Sequence, residues 1–177
     1  HVSGLIINSP ADSTKNIYAL PSVIEVLKNH YFTNAAGANF ADAGEKPILS
    51  KYHYKTLGKQ VFDTIQNTNF KVKTFSLSHG KDYESSAFLV ENKEHYILYL
   101  GDTGADRIEE SDKLNILWKN IAPLIDNKIL KAIFIEVSFP NSQSDTQLYG
   151  HLKPQLLLEE LSILQNLTKY KNLNGLK

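Results

Sequence analysis

AFLVENKEHYILYLGDTG, residues 87–104, contains two apolar runs, and the second run leads directly into a glycine-flanked aspartate. The runs at 87–91 and 96–100 are rich in residues that favour strands, and the polar residues 92–95 between them suit a tight turn. The stretch therefore predicts a β-hairpin. The second strand of this hairpin is expected to end at GDTG, residues 101–104.

Strands and helices are predicted to alternate on either side of this hairpin. The predicted elements are strands over Ile17–Leu20, residues 72–75 and Lys131–Val137, and helices over Ser22–Tyr31, residues 112–126 and Gln155–Leu167. Lys131–Val137 is almost continuously apolar, which predicts burial on both faces. Pro123 predicts a bend or a break in its helix, and residues 33–47 are expected to form a loop. The alternation indicates an α/β domain, in which reactive groups collect just past the strand ends.

The composition excludes several classes of protein. The chain has 177 residues, one domain's worth, with 19 basic and 19 acidic side chains. This balance offers no basic face for nucleic acid or an anionic membrane, so neither is expected as a partner. There is no cysteine, which excludes disulfides, thiolate metal sites and a cysteine nucleophile. The chain begins at His1 and contains no methionine, so we expect it to be a fragment of a longer protein.

Three residues at predicted element boundaries could bind a metal ion. His79 follows one strand, Asp102 follows another, and His151 precedes a helix, each next to glycine. Imidazole and carboxylate suit zinc, iron or manganese, and one carboxylate can bridge two metals. Each residue also has an ordinary structural interpretation, since aspartate in such a turn commonly bonds to its own backbone. The residues alone thus indicate an α/β domain with a candidate metal or phosphate site.

Six short motifs resemble, in the same order, those of the class II 3′,5′-cyclic nucleotide phosphodiesterases. They are HVSGLIINSP (1–10), LSHG (77–80), SSAFLV (85–90), GDTGAD (101–106), IFIEVSF (133–139) and GHLKP (150–154). The resemblance implies the α/β fold of the metallo-β-lactamase superfamily, a four-layer αββα sandwich. Residues 1–177 would be the C-terminal part of a single phosphodiesterase domain that here lacks its N-terminal part.

The resemblance also implies a metal site and a reaction. His79 would bind the first metal, Asp102 would bridge both, and His1 and His151 would bind the second. The cofactors would be two divalent metal ions, with zinc expected and manganese or iron as alternatives. Hydroxide activated by the two metals would hydrolyse cyclic AMP, or cyclic GMP, to the nucleoside 5′-monophosphate. Asp102 would be catalytic, and so would Glu136, by orienting a ligating histidine or moving a proton.

Four further residues are candidate contacts to the phosphate or ribose of the substrate. They are Ser86, Thr103, Asn141 and Lys153, with Lys153 steadying a phosphate oxygen. Phe40, in the predicted 33–47 loop, is a candidate for stacking on the purine. His30, His53 and His95 are given ordinary structural roles.

Two alternatives stay open at this point. One is another phosphodiesterase of the same fold, such as an RNA-processing nuclease, although zero net charge disfavours RNA binding. The other is a non-catalytic relative that acts as an interaction module. Because two histidines and one aspartate expected from the family would precede His1, the fragment is expected to be inactive alone. The sequence leaves the oligomeric state open, and the compartment open between cytoplasm and periplasm.

Overall fold

The computed structural model describes residues 13–35, 37–81 and 83–177. The chain divides into two compact units, His1–Leu57 and Gly58–Lys177. The apolar segment Val2–Ile7 and the candidate ligand His1 lie outside the described residues. No helix formed by the described part of the chain is long and apolar enough to cross a membrane.

Eight strands and four α-helices form the described part of the chain. The strands are β1 Lys15–Ala19, β2 Asn39–Ala41, β3 Ile48–Thr56, β4 Phe62–Thr64, β5 Lys71–Ser78, β6 Glu84–Asn92, β7 His95–Leu100 and β8 Leu130–Phe134. The helices are α1 Pro21–Val26, α2 Asp106–Glu109, α3 Lys113–Asp126 and α4 Pro154–Leu167. Leu27–Tyr31 continues α1 as a π-helical turn, and Asp145–Gln147 is a 3₁₀ turn.

The first unit contains a small parallel sheet in the order β1-β3-β2. Its core is mainly aromatic, with Phe32 and Tyr52 almost fully buried beside Leu27 and Ala41. Phe40 packs against Tyr52, with their ring centroids 6.5 Å apart. The side chain of Phe40 is therefore part of this core, which disfavours the role in purine stacking considered for it.

The second unit contains a five-stranded sheet in the order β4-β5-β6-β7-β8. The pairs from β4 to β7 are antiparallel, and β7 pairs with β8 in parallel. The predicted hairpin is confirmed, with β6 and β7 joined by a two-residue turn. Because β5 and β7 both run antiparallel to β6, their C-terminal ends lie at the same end of the sheet.

Helices α3 and α4 cover one face of this sheet. Their apolar side chains join those of β5, β6 and β7 in one buried cluster, in which Leu98, Leu117, Ile121, Leu164 and Trp118 are completely buried. The indole Nε1 of Trp118 donates a 3.0 Å hydrogen bond to Glu160 of α4. A tryptophan buried this deeply usually has such a partner for its N–H group, and this one ties the two helices together.

The structure corrects three expectations about the elements. Residues 131–137 do not form a strand buried on both faces: β8 ends at Phe134, whose side chain is 53% exposed. Ile133 packs on the core beneath the helices, whereas Phe134 points to the opposite face, where Tyr99 of the interior strand β7 is exposed as well. Pro123 does not break α3, which continues beyond it to Asp126. The expected loop 33–47 contains the short strand β2.

Candidate metal centre

The candidate ligands lie close together at the end of the five-stranded sheet where β5 and β7 finish; they are His79, Asp102 and His151. One ligand atom of each side chain lies within 4.8 Å of the others, and the two imidazole centroids are 4.7 Å apart. His79 directly follows β5 and Asp102 lies two residues after β7, so the shared direction of these strands brings the two side chains together. His151 reaches the same place from the segment that precedes α4. Residues 72 positions apart in sequence thus meet at one point, which is the usual place for a site in an α/β sheet.

Each histidine is held through its Nδ1 atom. The Nδ1 atom of His79 lies 3.0 Å from the carbonyl oxygen of Gly150, and that of His151 lies 3.0 Å from Oε1 of Glu136. Carbonyl and carboxylate oxygens only accept hydrogen bonds, so Nδ1 carries the proton in both rings. In a neutral ring with this tautomer the Nε2 atom has the lone pair, the arrangement found in metal-ligating histidines.

Glu136 connects three backbone segments around the centre. Besides His151, its Oε1 atom accepts hydrogen bonds from the backbone N–H groups of Leu152, at 3.2 Å, and Thr103, at 3.4 Å. Its Oε2 atom accepts a 2.7 Å bond from Ser138 Oγ. Both carboxylate oxygens thus have donors, and those of Oε1 include the backbone N–H groups next to Asp102 and His151. This geometry suits a positioning role for Glu136, while its catalytic role stays a prediction.

Gly150 packs directly against the backbone that carries His79. A Cβ atom at position 150 would lie 2.2 Å from the Gly80 nitrogen and 2.4 Å from the His79 carbonyl carbon. The φ angle of Gly150 is +81°, a conformation that side chains disfavour. Glycine is required here because it lets the segment before His151 contact the segment around His79.

Glu109 of α2 is a site residue that the sequence analysis missed. Its Oε2 atom accepts hydrogen bonds from the backbone N–H of Gly80, at 2.8 Å, and from Ser78 Oγ, at 3.0 Å. It therefore holds the residues on both sides of His79 in place. Nothing in the local sequence separates Glu109 from Glu110 beside it, so only the packing of α2 on the end of β5 identifies this role.

The four candidate substrate contacts are engaged within the protein to different degrees. Thr103 is fully buried, and its hydroxyl group donates to the carbonyl oxygens of Ser78 and Gly104. Asn141 accepts a 2.8 Å bond from the backbone N–H of Gln155, near the start of α4. Ser86 is largely buried in β6, and its carbonyl oxygen accepts a bond from Gly101 N.

The fourth candidate, Lys153, is directed at the loop that precedes His151. Its Nζ atom lies 2.6 Å from Asp145 and donates to the carbonyl oxygen of Gln143. Hydrogen bonding to this ammonium group holds the pKa of Asp145 below its ordinary value. The side chain of Lys153 is mostly buried, so its contacts stabilise the loop, and contact with a phosphate oxygen stays a prediction.

The histidine–carboxylate pair of the first unit is a separate feature. His53 Nδ1 lies 3.0 Å from Asp42, which also accepts a bond from the backbone N–H of Tyr54. Burial, together with the nearby Asp42 charge, raises the pKa of Tyr54 to about 12. Among the described residues, His79, Asp102 and His151 form the group whose geometry suits a metal ion.

The donor set fits a divalent transition metal. Two imidazole nitrogens with free lone pairs and one carboxylate are ligands that zinc, manganese and iron accept. The carboxylate of Asp102 is exposed, and both histidines are partly exposed, so the ligand atoms remain accessible.

Comparison with known proteins gives a consistent result. A family model described as class II cAMP phosphodiesterases matches residues 1–177. A 3′,5′-cyclic-nucleotide phosphodiesterase of Aliivibrio fischeri is 39% identical over 99% of this chain and 53% of its own length. A probable 3′,5′-cyclic-nucleotide phosphodiesterase of Yersinia pestis is also 39% identical, over 93% of this chain and 48% of its own length. The chain thus spans about half the length of these curated relatives.

Solved structures support the fold. The crystal structure of unliganded yeast PDE1 superposes with a TM-score of 0.86 at 31% identity, over 99% of this chain and 52% of that one. A metallo-β-lactamase fold protein of Bacillus subtilis and the short form of human tRNase Z each give a TM-score of 0.51. The Bacillus protein is 14% identical, and the match covers 84% of this chain and 47% of that protein. The human protein is 15% identical, and the match covers 91% of this chain and 61% of that protein. At such low identity these two show the fold alone, and the expected α/β fold of metallo-β-lactamase type is confirmed.

Proposed function

Because the chain belongs to the class II cyclic AMP phosphodiesterase family, we propose that it serves the hydrolysis of 3′,5′-cyclic nucleotides to nucleoside 5′-monophosphates. The observation that carries the proposal is the convergence of His79, Asp102 and His151 within 4.8 Å. Cyclic AMP is the expected substrate, with cyclic GMP as a second. That the chain is the C-terminal part of one such domain stays a prediction.

Three described side chains would hold divalent metal ions in this proposal. His79 and His151 would use their Nε2 atoms, and Asp102, with two carboxylate oxygens, could bridge two ions. Zinc is the ion we propose, since two imidazoles and a carboxylate suit it well. Bound divalent ions would supply Lewis-acid chemistry, lowering the pKa of water and stabilising negative charge on phosphoryl oxygens. The role of His1 as a further ligand stays a prediction.

The remaining residues would keep the ligands in place. Glu136 and the Gly150 carbonyl oxygen hold the Nδ1 protons, so the Nε2 lone pairs face the site without a change of tautomer. Glu109 and Gly150 fix the backbone on both sides of His79. Such preorganisation matters because catalytic groups that are already oriented need no rearrangement during the reaction.

The reaction itself would need no nucleophilic side chain. Water adds to phosphorus, the bond from phosphorus to the 3′ oxygen breaks, and that oxygen gains a proton. The product is the 5′-monophosphate. The full sequence has no cysteine and no Gly-x-Ser-x-Gly motif, which agrees with direct attack by water.

Assays on the complete protein that carries this chain would test the proposal. We expect hydrolysis of cyclic AMP in the presence of zinc or manganese, and loss of both turnover and bound metal in Asp102→Ala. Glu94→Gln, in the exposed turn of the β6–β7 hairpin, is the control and should retain both. Near-normal turnover in Asp102→Ala would refute the assignment. Cleavage of a transfer RNA precursor but not of cyclic AMP would favour the RNA-processing alternative, and no hydrolysis of either would favour a non-catalytic role.

A further inference from the structure

Tyr149 presents an exposed aromatic ring from the turn that leads into His151. Tyr149 is 72% exposed, although Leu148 just before it and Leu152 three residues after it are almost completely buried. Its φ angle is +51°, in the left-handed region that bulky residues rarely adopt. The surrounding contacts must therefore hold this backbone conformation in place.

The contacts around Tyr149 fix its backbone on both sides. Leu148 is anchored in a buried cluster with Ala105, Leu152 and Leu156, and its carbonyl oxygen accepts a 3.0 Å bond from His151 N. Gly150, the residue after Tyr149, packs against His79 and cannot shift either. The ring therefore extends from a rigid turn. The ring contributes little to the stability of the fold, since its apolar surface remains in water.

The ring of Phe139 lies close to both Tyr149 and the candidate ligand His151. Its ring centroid is 6.4 Å from that of Tyr149 and 5.9 Å from that of the His151 imidazole. Phe139 packs against the same buried cluster as Leu148, and its backbone N–H donates to Leu152. The three rings thus form a chain of aromatic contacts that begins at the candidate ligand His151 and ends at the exposed ring of Tyr149.

We propose that Tyr149, supported by Phe139, is the surface on which the nucleobase of the substrate stacks, an inference that rests on the proposed function. In a cyclic nucleotide the phosphate closes a ring on the 3′ and 5′ oxygens, while the base projects from C1′ on the other side of the ribose. With the phosphate at His79, Asp102 and His151, the base lies one sugar away from the centre. An exposed aromatic ring next to His151 suits it, because every base has a π face.

Stacking also predicts what Tyr149 does not do. A ring face recognises the flat surface of a base and not its hydrogen-bonding edge. Adenine and guanine should therefore gain similar affinity from Tyr149. The preference between cyclic AMP and cyclic GMP would come from other residues.

The test compares ligands with and without a base. Calorimetry on the metal-loaded complete protein would measure the Kd values of AMP and of ribose 5-phosphate. Tyr149→Ala should raise the Kd of AMP roughly 5- to 150-fold, the range that corresponds to base–aromatic stacking, and leave the Kd of ribose 5-phosphate nearly unchanged. It should also raise KM for cyclic AMP more than it lowers kcat. Tyr149→Phe keeps the aromatic face and should bind AMP as tightly as the wild type. A substitution that disturbed the turn itself would instead weaken the binding of both ligands.

Two further variants serve as comparison and control. Tyr83→Ala removes a second exposed ring, in the turn after His79, and Tyr170→Ala removes an exposed ring just after α4. Both should retain the wild-type ratio of the two Kd values. An unchanged ratio in Tyr149→Ala, or a changed ratio in Tyr83→Ala alone, would overturn the inference while cyclic AMP turnover by the wild type still supported the proposed function. A wild-type protein that neither hydrolyses cyclic AMP nor binds AMP would overturn both.

Discussion

Glu136 Oε1 lies 3.0 Å from His151 Nδ1 and also accepts hydrogen bonds from two backbone N–H groups, those of Thr103 and Leu152. One carboxylate oxygen therefore orients a candidate ligand and joins the segment after β7 to the start of α4. Carboxylate–histidine pairs of this kind fix the tautomer of a ligating imidazole and increase its basicity.

Replacing Glu136 should therefore weaken metal binding without removing a ligand. We expect Glu136→Ala to lower zinc affinity about 10- to 100-fold, since outer partners of ligating histidines usually contribute that much. Glu136→Gln, which keeps one acceptor oxygen, should lose less. Competition with a metallochromic chelator measures the affinity, and the exposed Glu94→Gln is the matched control. Equal affinity in wild type and Glu136→Ala would show that His151 is oriented by other contacts.

Gly150 and Gly175 offer a matched pair for the contact between the two histidine segments. Their φ angles are +81° and +83°, but a Cβ atom at 150 would overlap His79 and Gly80, whereas one at 175 meets nothing within 4 Å. Both alanine variants carry a similar backbone penalty. We expect Gly150→Ala to lose about 1–3 kcal/mol more free energy of unfolding in urea than Gly175→Ala, because of overpacking. Equal losses in the two variants would contradict the close packing of Gly150 on His79.

Glu109 should stabilise the segment that carries His79. Glu109→Ala leaves the Gly80 N–H group and the Ser78 hydroxyl group without their acceptor, which we expect to cost about 1–3 kcal/mol of the free energy of unfolding. Metal affinity should fall as well, because His79 lies between the two bonded residues. Glu110→Ala, one residue further along, is the control for both measurements. A variant that loses stability but retains full metal affinity would limit Glu109 to a structural role.

Glu160 should make stability depend on pH. Burial raises the pKa of this carboxyl group, although bonds from Trp118 and from the Asp106 backbone partly oppose the shift. A raised pKa in the folded state means that the contribution of Glu160 is fully present below the unfolded pKa, about 4.3, and is lost as pH rises through the folded value. The stability of wild type relative to Glu160→Gln should therefore decrease as pH rises through this range. Urea unfolding followed by the fluorescence of Trp118 measures it, and a difference that is constant with pH would contradict the shift.

Much of the fold could be predicted because its signals are local. The β6–β7 hairpin and helix α4 follow from runs of apolar residues with clear spacing, and both are present where expected. The nine-residue strand β3 was missed, because Ile48–Thr56 mixes lysine, serine and aromatic residues without regular alternation. The exposure of Phe134 could not be predicted either, since a sequence does not say which face of a sheet its helices will cover.

The candidate site was predictable for a different reason. His79, Asp102 and His151 each stand next to glycine at the end of an element, and the fold brings their side chains together. Their supporting contacts depend on distances across the fold: Glu109 and Gly150 meet the His79 segment from positions 29 and 71 residues away. Tyr149 is equally inconspicuous in sequence, because its exposure and its φ angle exist only in the folded chain.

Since the three candidate ligands come from three distant segments, a cation held by all of them would act as a cross-link that only the native state can form. An unfolded chain cannot hold those side chains together, so folding and metal binding would be linked equilibria. The melting temperature should then rise with the logarithm of free zinc concentration once that concentration exceeds Kd. Supply of metal would in this way set the lifetime of the protein as well as its activity.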